Sequence, residues 1–145
     1  LNGEDVTKEI RLPQISMYAS RVSALPEVRA FLMDMQRDMA RRNSVVMDGR
    51  DIGTVVLPQA DVKIFLTASV EDRARRRWEE LNDRGTPKNF DELLEEIRQR
   101  DDNDSRRAAA PLRAAEDAVY LDTTGNTFER SREQILEIIK ERLGQ

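Results

Sequence analysis

The sequence has no cysteine and no histidine. Without cysteine there is no disulfide, no thiolate metal site and no thiol nucleophile. Without histidine there is no imidazole base or ligand. Aromatic residues make up 5% of the chain and hydrophobic residues 39%, below the usual share for a globular domain. Either the core is helped by something else, or part of a larger domain is missing. No apolar run approaches the roughly 18 residues that a membrane span needs. No signal peptide is visible, and the chain opens on Leu1 rather than Met, so the true start is expected upstream. A soluble, cytoplasmic protein is the expectation. The net charge of −4 excludes a global field that would draw the chain to nucleic acid or anionic lipid.

What the chain has is charge: Asp, Glu, Lys and Arg are 36% of its 145 residues, a length that suits one domain. Asp, Glu, Arg, Lys and Ser are tools for handling phosphate and Mg²⁺ more than for acyl transfer.

Along the chain, Pro13 opens a helix with Ile15, Ala19, Val22 and Leu25 at helical spacing. Pro26 opens a second helix, with the stripe Val28, Phe31, Leu32, Met35 and Met39, which stops at Asn43. Ser44–Met47 reads as a first strand, Val62–Leu66 as a second and Ala118–Leu121 as a third. Between the last two, Ser69 with Asp72 is a capping box for a helix running to Gly85. Asn89 with Glu92 caps the next, which carries Leu93, Leu94 and Ile97. Thr127–Leu143 is the last helix, with Gly144 after it. Short apolar strands alternating with helices predict a parallel sheet buried on both faces.

Three Arg- and Asp-rich clusters stand out. In "DGRDIG", at the end of the first predicted strand, Arg50 offers a planar fork, Asp48 and Asp51 can accept, and Gly49 and Gly53 allow close backbone approach or tight turns. A solvated turn with Arg–Asp pairing explains it equally well. In "DRARRRWEE", Arg73, Arg75, Arg76 and Arg77 crowd one helix. They read as a polyanion site or as partners of Glu71, Asp72, Glu79 and Glu80. In "RQRDDNDSRR", Arg100, Asp104 and Arg107 fall at i, i+4 and i+7, on one face if helical. That suits a phosphate–sugar pair, or a salt-bridged helix end. The chemistry that fits all three clusters is phosphoryl transfer, in which positioning and charge neutralisation do most of the catalysis.

"DGRDIGTVVLPQADVKIFLTAS", the Arg-rich helix and "RQRDDNDSRRAAAPL" together closely resemble bacterial cytidylate kinase, over essentially the whole chain. The resemblance implies an α/β fold: a P-loop nucleoside monophosphate kinase-like parallel sheet flanked by helices. It implies transfer of the ATP γ-phosphoryl to CMP or dCMP with Mg²⁺. By that resemblance, Ser20, Arg29 and Asp51 match residues that read the cytosine edge, and Arg50 one that holds the acceptor phosphate. Arg100 and Arg107 match phosphate-binding arginines, and Asp104 the carboxylate at the ribose. The segment 72–88 matches the mobile lid over ATP, with Arg76 and Arg77 nearest the phosphates.

One departure is large. The family needs a G-x-x-x-x-G-K-[ST] loop, and the sequence has none. The resemblance therefore implies an incomplete sheet in a chain lacking the first strand and P-loop: residues 1–20 as the tail of the nucleotide-binding insert, 21–145 as the core. The missing strand would lie between the first two predicted ones. They must pair directly, borrow a strand, or leave edges exposed, and self-association is then expected. Two other readings stay open: a non-catalytic nucleotide-binding or self-associating fragment, and a P-loop kinase with another small acceptor.

Overall fold

The computed structural model describes residues 1–144, and the side chains of all of these except 13, 14, 16 and 17. The chain divides into two compact units, residues 1–46 and 47–145.

The first unit is helical. A 3₁₀ turn, Glu9–Arg11, leads into α1, Pro13–Ser23, and then α2, Pro26–Arg42. Both helices carry proline in their first turn, where the missing N–H is no loss. The predicted stripe is present on α2, but Phe31, Leu32, Met35 and Met39 are all exposed. A helical pair alone has too little surface to enclose a core.

The second unit carries the sheet. Strand β1, Ile64–Thr67, pairs in parallel with β2, Val119–Asp122, in the register Ile64↔Val119 to Thr67↔Asp122. Parallel neighbours need a long crossover, and here it contains α3, Val70–Asp83, and α4, Phe90–Arg106. Helix α5, Phe128–Leu143, closes the chain. The predicted caps are in place: Ser69 Oγ accepts from Asp72 N at 3.1 Å and Asn89 Oδ1 from Asp91 N at 2.8 Å. Thr127 Oγ1 also caps α5, accepting from Arg130 N at 3.2 Å. Each such cap stabilises its helix by about 1 kcal/mol. Gly144 takes the left-handed conformation that ends α5, φ 68°.

Two expectations need correction. Ser44–Met47 forms no strand: Asn43 is extended, but among the described residues nothing pairs with this segment, and Val46 is 98% exposed. A strand exists only with a hydrogen-bonded neighbour, so an apolar run alone does not make one. Among the described residues the sheet accordingly has two strands where three were expected. Nor are the strands buried on both faces. Leu66 and Tyr120 are exposed, while Leu121 is buried, because in a two-stranded sheet every strand is an edge. Phe65 and Tyr120 meet across the pair with their rings tilted, centroids 5.2 Å apart.

The core of the second unit is small: Val56, Ala68, Ala74, Leu81, Leu93 and Leu121. Ala74 and Leu81 come from α3 and Leu93 from α4, so helix–helix packing supplies much of it. Lys63 closes the start of the sheet, its Nζ 2.7 Å from Asp117 Oδ2. That hydrogen bond holds the Asp117 carboxyl below its ordinary range. Among the described residues, no helix is long and apolar enough to cross a membrane.

Candidate functional site

The segment after Met47 turns instead of pairing. Over Ile52–Val56 the backbone forms a single π-helical turn, which the sequence reading did not foresee. Its pivot is the Asp51 carbonyl, which accepts from Thr54, Val55 and Val56 amides at 3.3, 2.9 and 3.2 Å. Leu57 N donates to Ile52 O at 2.7 Å. π-Turns of this kind concentrate at functional sites. A Cβ on Gly49 would sit 2.7 Å from Ile52 Cγ1, so the close approach that this glycine allows is to its own turn.

The turn presents Arg50 and Asp51 to the end of α4. There Asp104 is buried, at 5% exposure, and is the hub of the arrangement. Arg50 Nε donates to Asp104 Oδ2 at 3.3 Å. Arg100 Nε lies 3.8 Å from the same oxygen, and Arg107 Nη1 3.7 Å from Oδ1. Arg107 Nη2 is 4.0 Å from Asp51 Oδ1. Three guanidinium groups thus surround two carboxylates, leaving net positive charge in a partly desolvated place. Bare, that arrangement is expensive; it suits an anion that the guanidinium forks can grip.

Arg107 is held more tightly than the spacing predicts. It caps α4 with extended backbone, φ −62° and ψ 140°, so it stands just past the helix and not on its face. Its Nε donates to Ala110 O at 2.6 Å. Ala110 is left-handed, φ 51°, a conformation uncommon for a residue with a Cβ. Leu112 N returns to Asp104 O at 2.8 Å, closing the loop. Arg107 Nη2 is buried and has no hydrogen-bond partner. An unsatisfied buried donor costs about 1–3 kcal/mol, and a bound anion would relieve that cost.

The other predicted residues lie elsewhere. Arg76 forms an ion pair with Asp72 and donates to the Thr123 carbonyl at the end of β2. Arg77 Nη1 is 2.6 Å from Glu80. For these two arginines, acidic neighbours on their own helix are the realised partners. Neither belongs to the Asp104 cluster. Ser20 lies on α1 and Arg29 on α2, in the first unit. There Arg29 Nη1 donates to Ser23 O at 3.3 Å, and Ser23 Oγ to Ser20 O at 3.0 Å.

Besides the π-helical turn, sequence reasoning missed two further features. Arg73 reaches across to α4 in a bidentate pair with Asp101, 3.0 and 2.6 Å; 28 positions separate the two, beyond any helical-spacing rule. The Ala110 turn also left no signal, since alanine does not announce a left-handed residue. At the ends of the strands, carboxylates are held in their charged form. Asp122 lies below its ordinary range because the Thr124 hydroxyl, then its amide, donates to it. Glu71 does so through its own backbone amide and through Arg98.

A buried carboxylate ringed by arginines, beside a turn that carries an aspartate, can receive an anion. The cytidylate kinase family model matches residues 1–141. The chain belongs to the cytidylate kinase family. A cytidylate kinase of Caldicellulosiruptor saccharolyticus is 52% identical over 144 residues, covering 99% of this chain and 64% of that protein. One from Caldanaerobacter subterraneus subsp. tengcongensis is 54% identical over 140 residues, 97% of this chain and 62% of the relative. One from Vibrio cholerae is 52% identical over 143 residues, 99% and 64%. The chain therefore spans 62–64% of the length of these cytidylate kinases.

Proposed function

We propose that the full-length protein transfers the γ-phosphoryl group of ATP to CMP or dCMP in the cytoplasm, and that the Asp104 cluster is the acceptor-nucleotide site. The observation that carries this reading is the buried Asp104 carboxylate with Arg50, Arg100 and Arg107 around it. Arg50 and Arg100 hold the acceptor phosphate. Asp104 accepts from the ribose hydroxyls and keeps the arginines apart. Arg107 spans acceptor and moving phosphoryl group. Asp51 reads the cytosine edge: its carboxylate accepts from the exocyclic amine. A uracil carbonyl in that place would face the carboxylate, which discriminates strongly.

Residues 1–20 are the tail of the nucleotide-binding insert, and 72–88 form the lid. Arg76 and Arg77 leave Asp72, Thr123 and Glu80 for the donor phosphates when ATP binds. Mg²⁺ enters this proposal with ATP, as the family implies, and no step here runs through it.

The 145-residue chain by itself is inactive, because its sequence holds no G-x-x-x-x-G-K-[ST] loop to cradle donor phosphates. The test is a coupled ADP-release assay on the full-length protein and on these 145 residues alone. CMP-dependent turnover is expected only in the first. Turnover with AMP or UMP but not CMP in the full-length protein would defeat the assignment of acceptor.

A further inference from the structure

Arg73 lies at the start of the segment proposed as the lid but has no phosphate role above, and every arm of its guanidinium is used. Nε donates to Ala68 O at 3.0 Å, at the end of β1. Nη1 and Nη2 grip the two oxygens of Asp101 on α4 at 3.0 and 2.6 Å. Both side chains are about two thirds buried, so the pair is less screened than an exposed one. Asp101 follows Arg100 directly and precedes Asp104 by three positions, a spacing that puts two side chains side by side, about 5–6 Å apart at Cβ. Arg73 therefore ties the end of the sheet to the turn of α4 that bears the hub.

We infer that Arg73 is a positioning residue for the acceptor site: it neutralises Asp101 and fixes the rotation of the last turns of α4, so that Arg100 and Arg50 face the acceptor phosphate and not Asp101. This rests on the reading of the Asp104 cluster as the acceptor site. Without Arg73, Asp101 is an uncompensated carboxylate one helical turn from Asp104. It competes with the phosphate for the arginines of the cluster, and its charge repels the anion. The structure holds its own control. Arg98 and Glu71 join the same two helices at 3.1 Å, but both are largely exposed, and exposed pairs contribute little.

The experiment uses four variants of the full-length protein: Arg73→Met, Asp101→Asn, the double variant, and Arg98→Met. Steady-state kinetics are measured against CMP and ATP, with melting temperatures alongside. Arg73→Met should raise KM for CMP about tenfold, the order expected of one uncompensated charge near a phosphate, with KM for ATP and kcat changed far less. The double variant should return KM for CMP to within about threefold of the parent, because the offending charge is gone. Arg98→Met should leave both KM values unchanged. If the double variant is no better than Arg73→Met, or if KM for CMP and for ATP rise together in step with lost melting temperature, Arg73 only braces the helices and the inference fails. Inorganic phosphate, titrated into the same proteins, separates this from the functional reading. Should the parent not use CMP at all while phosphate affinity follows the same order across the variants, the acceptor assignment falls and the positioning role stands. A flat phosphate response would remove the positioning role as well.

Discussion

Arg50 and Asp104 meet across 54 positions of sequence, Arg50 Nε donating to Asp104 Oδ2 at 3.3 Å. The contact joins the turn after Met47 to the last turns of α4, and two more arginines converge on the same carboxylate. Asp104→Ala should therefore cost stability as well as binding. Arg50 and Arg100 remain partly solvated, which moderates the 3–5 kcal/mol typical of a broken buried pair to about 1–2 kcal/mol. Urea unfolding of the full-length protein should show a lower midpoint with an unchanged slope. An unchanged midpoint would mean that the cluster is not formed in solution.

Asp51→Ala should relax base selectivity. Its carboxylate is proposed to accept from the cytosine amine, and leaving that donor unpaired costs about 1–3 kcal/mol. The ratio of kcat/KM for CMP to that for UMP should fall about tenfold or more, with KM for ATP little changed. If the ratio holds, Asp51 serves only to face Arg107, 4.0 Å away, and to pivot its own turn.

Arg107→Lys keeps the charge but loses the planar fork and the Nε bond to Ala110. A guanidinium beside the moving phosphoryl group stabilises the transition state more than either ground state. Turnover should fall about 10²-fold, by analogy with arginine-finger losses, with a smaller change in KM. A raised KM for CMP with turnover intact would confine Arg107 to ground-state binding.

Much of this was legible in the chain, and the gaps have physical causes. Helix ends could be read because their signals are local: Ser69 and Asn89 cap where they were expected to. The parallel pairing of Val119–Asp122 with Ile64–Thr67 followed from alternating elements. Ser44–Met47 failed because a strand is a property of two segments, and only one of them was visible in the sequence. Arg100, Asp104 and Arg107 were gathered by spacing, and spacing also placed Arg107 on a helix that in fact ends at Arg106. Arg50 joining Asp104, and Arg73 joining Asp101, are long-range pairs without a local signature.

The 145 residues alone should self-associate. Val46, Phe31, Leu66, Tyr120 and Phe128 are exposed, and both strands of the sheet are edges, open to pairing with another chain. Light scattering across a hundredfold range of concentration should give a mass that rises above that of the monomer. A constant monomer mass would show that these edges are protected in solution.

The central claim is that the Asp104 cluster receives the acceptor nucleotide, and arginine side-chain ¹H–¹⁵N spectra of the full-length protein, titrated with CMP, test it most directly. The Nε–H resonances of Arg50, Arg100 and Arg107 should shift together and saturate at one dissociation constant. Those of Arg98 and Arg130, paired on the surface with Glu71 and Glu133, should stay in place. CMP binding that saturates while the three cluster arginines do not move would contradict the account.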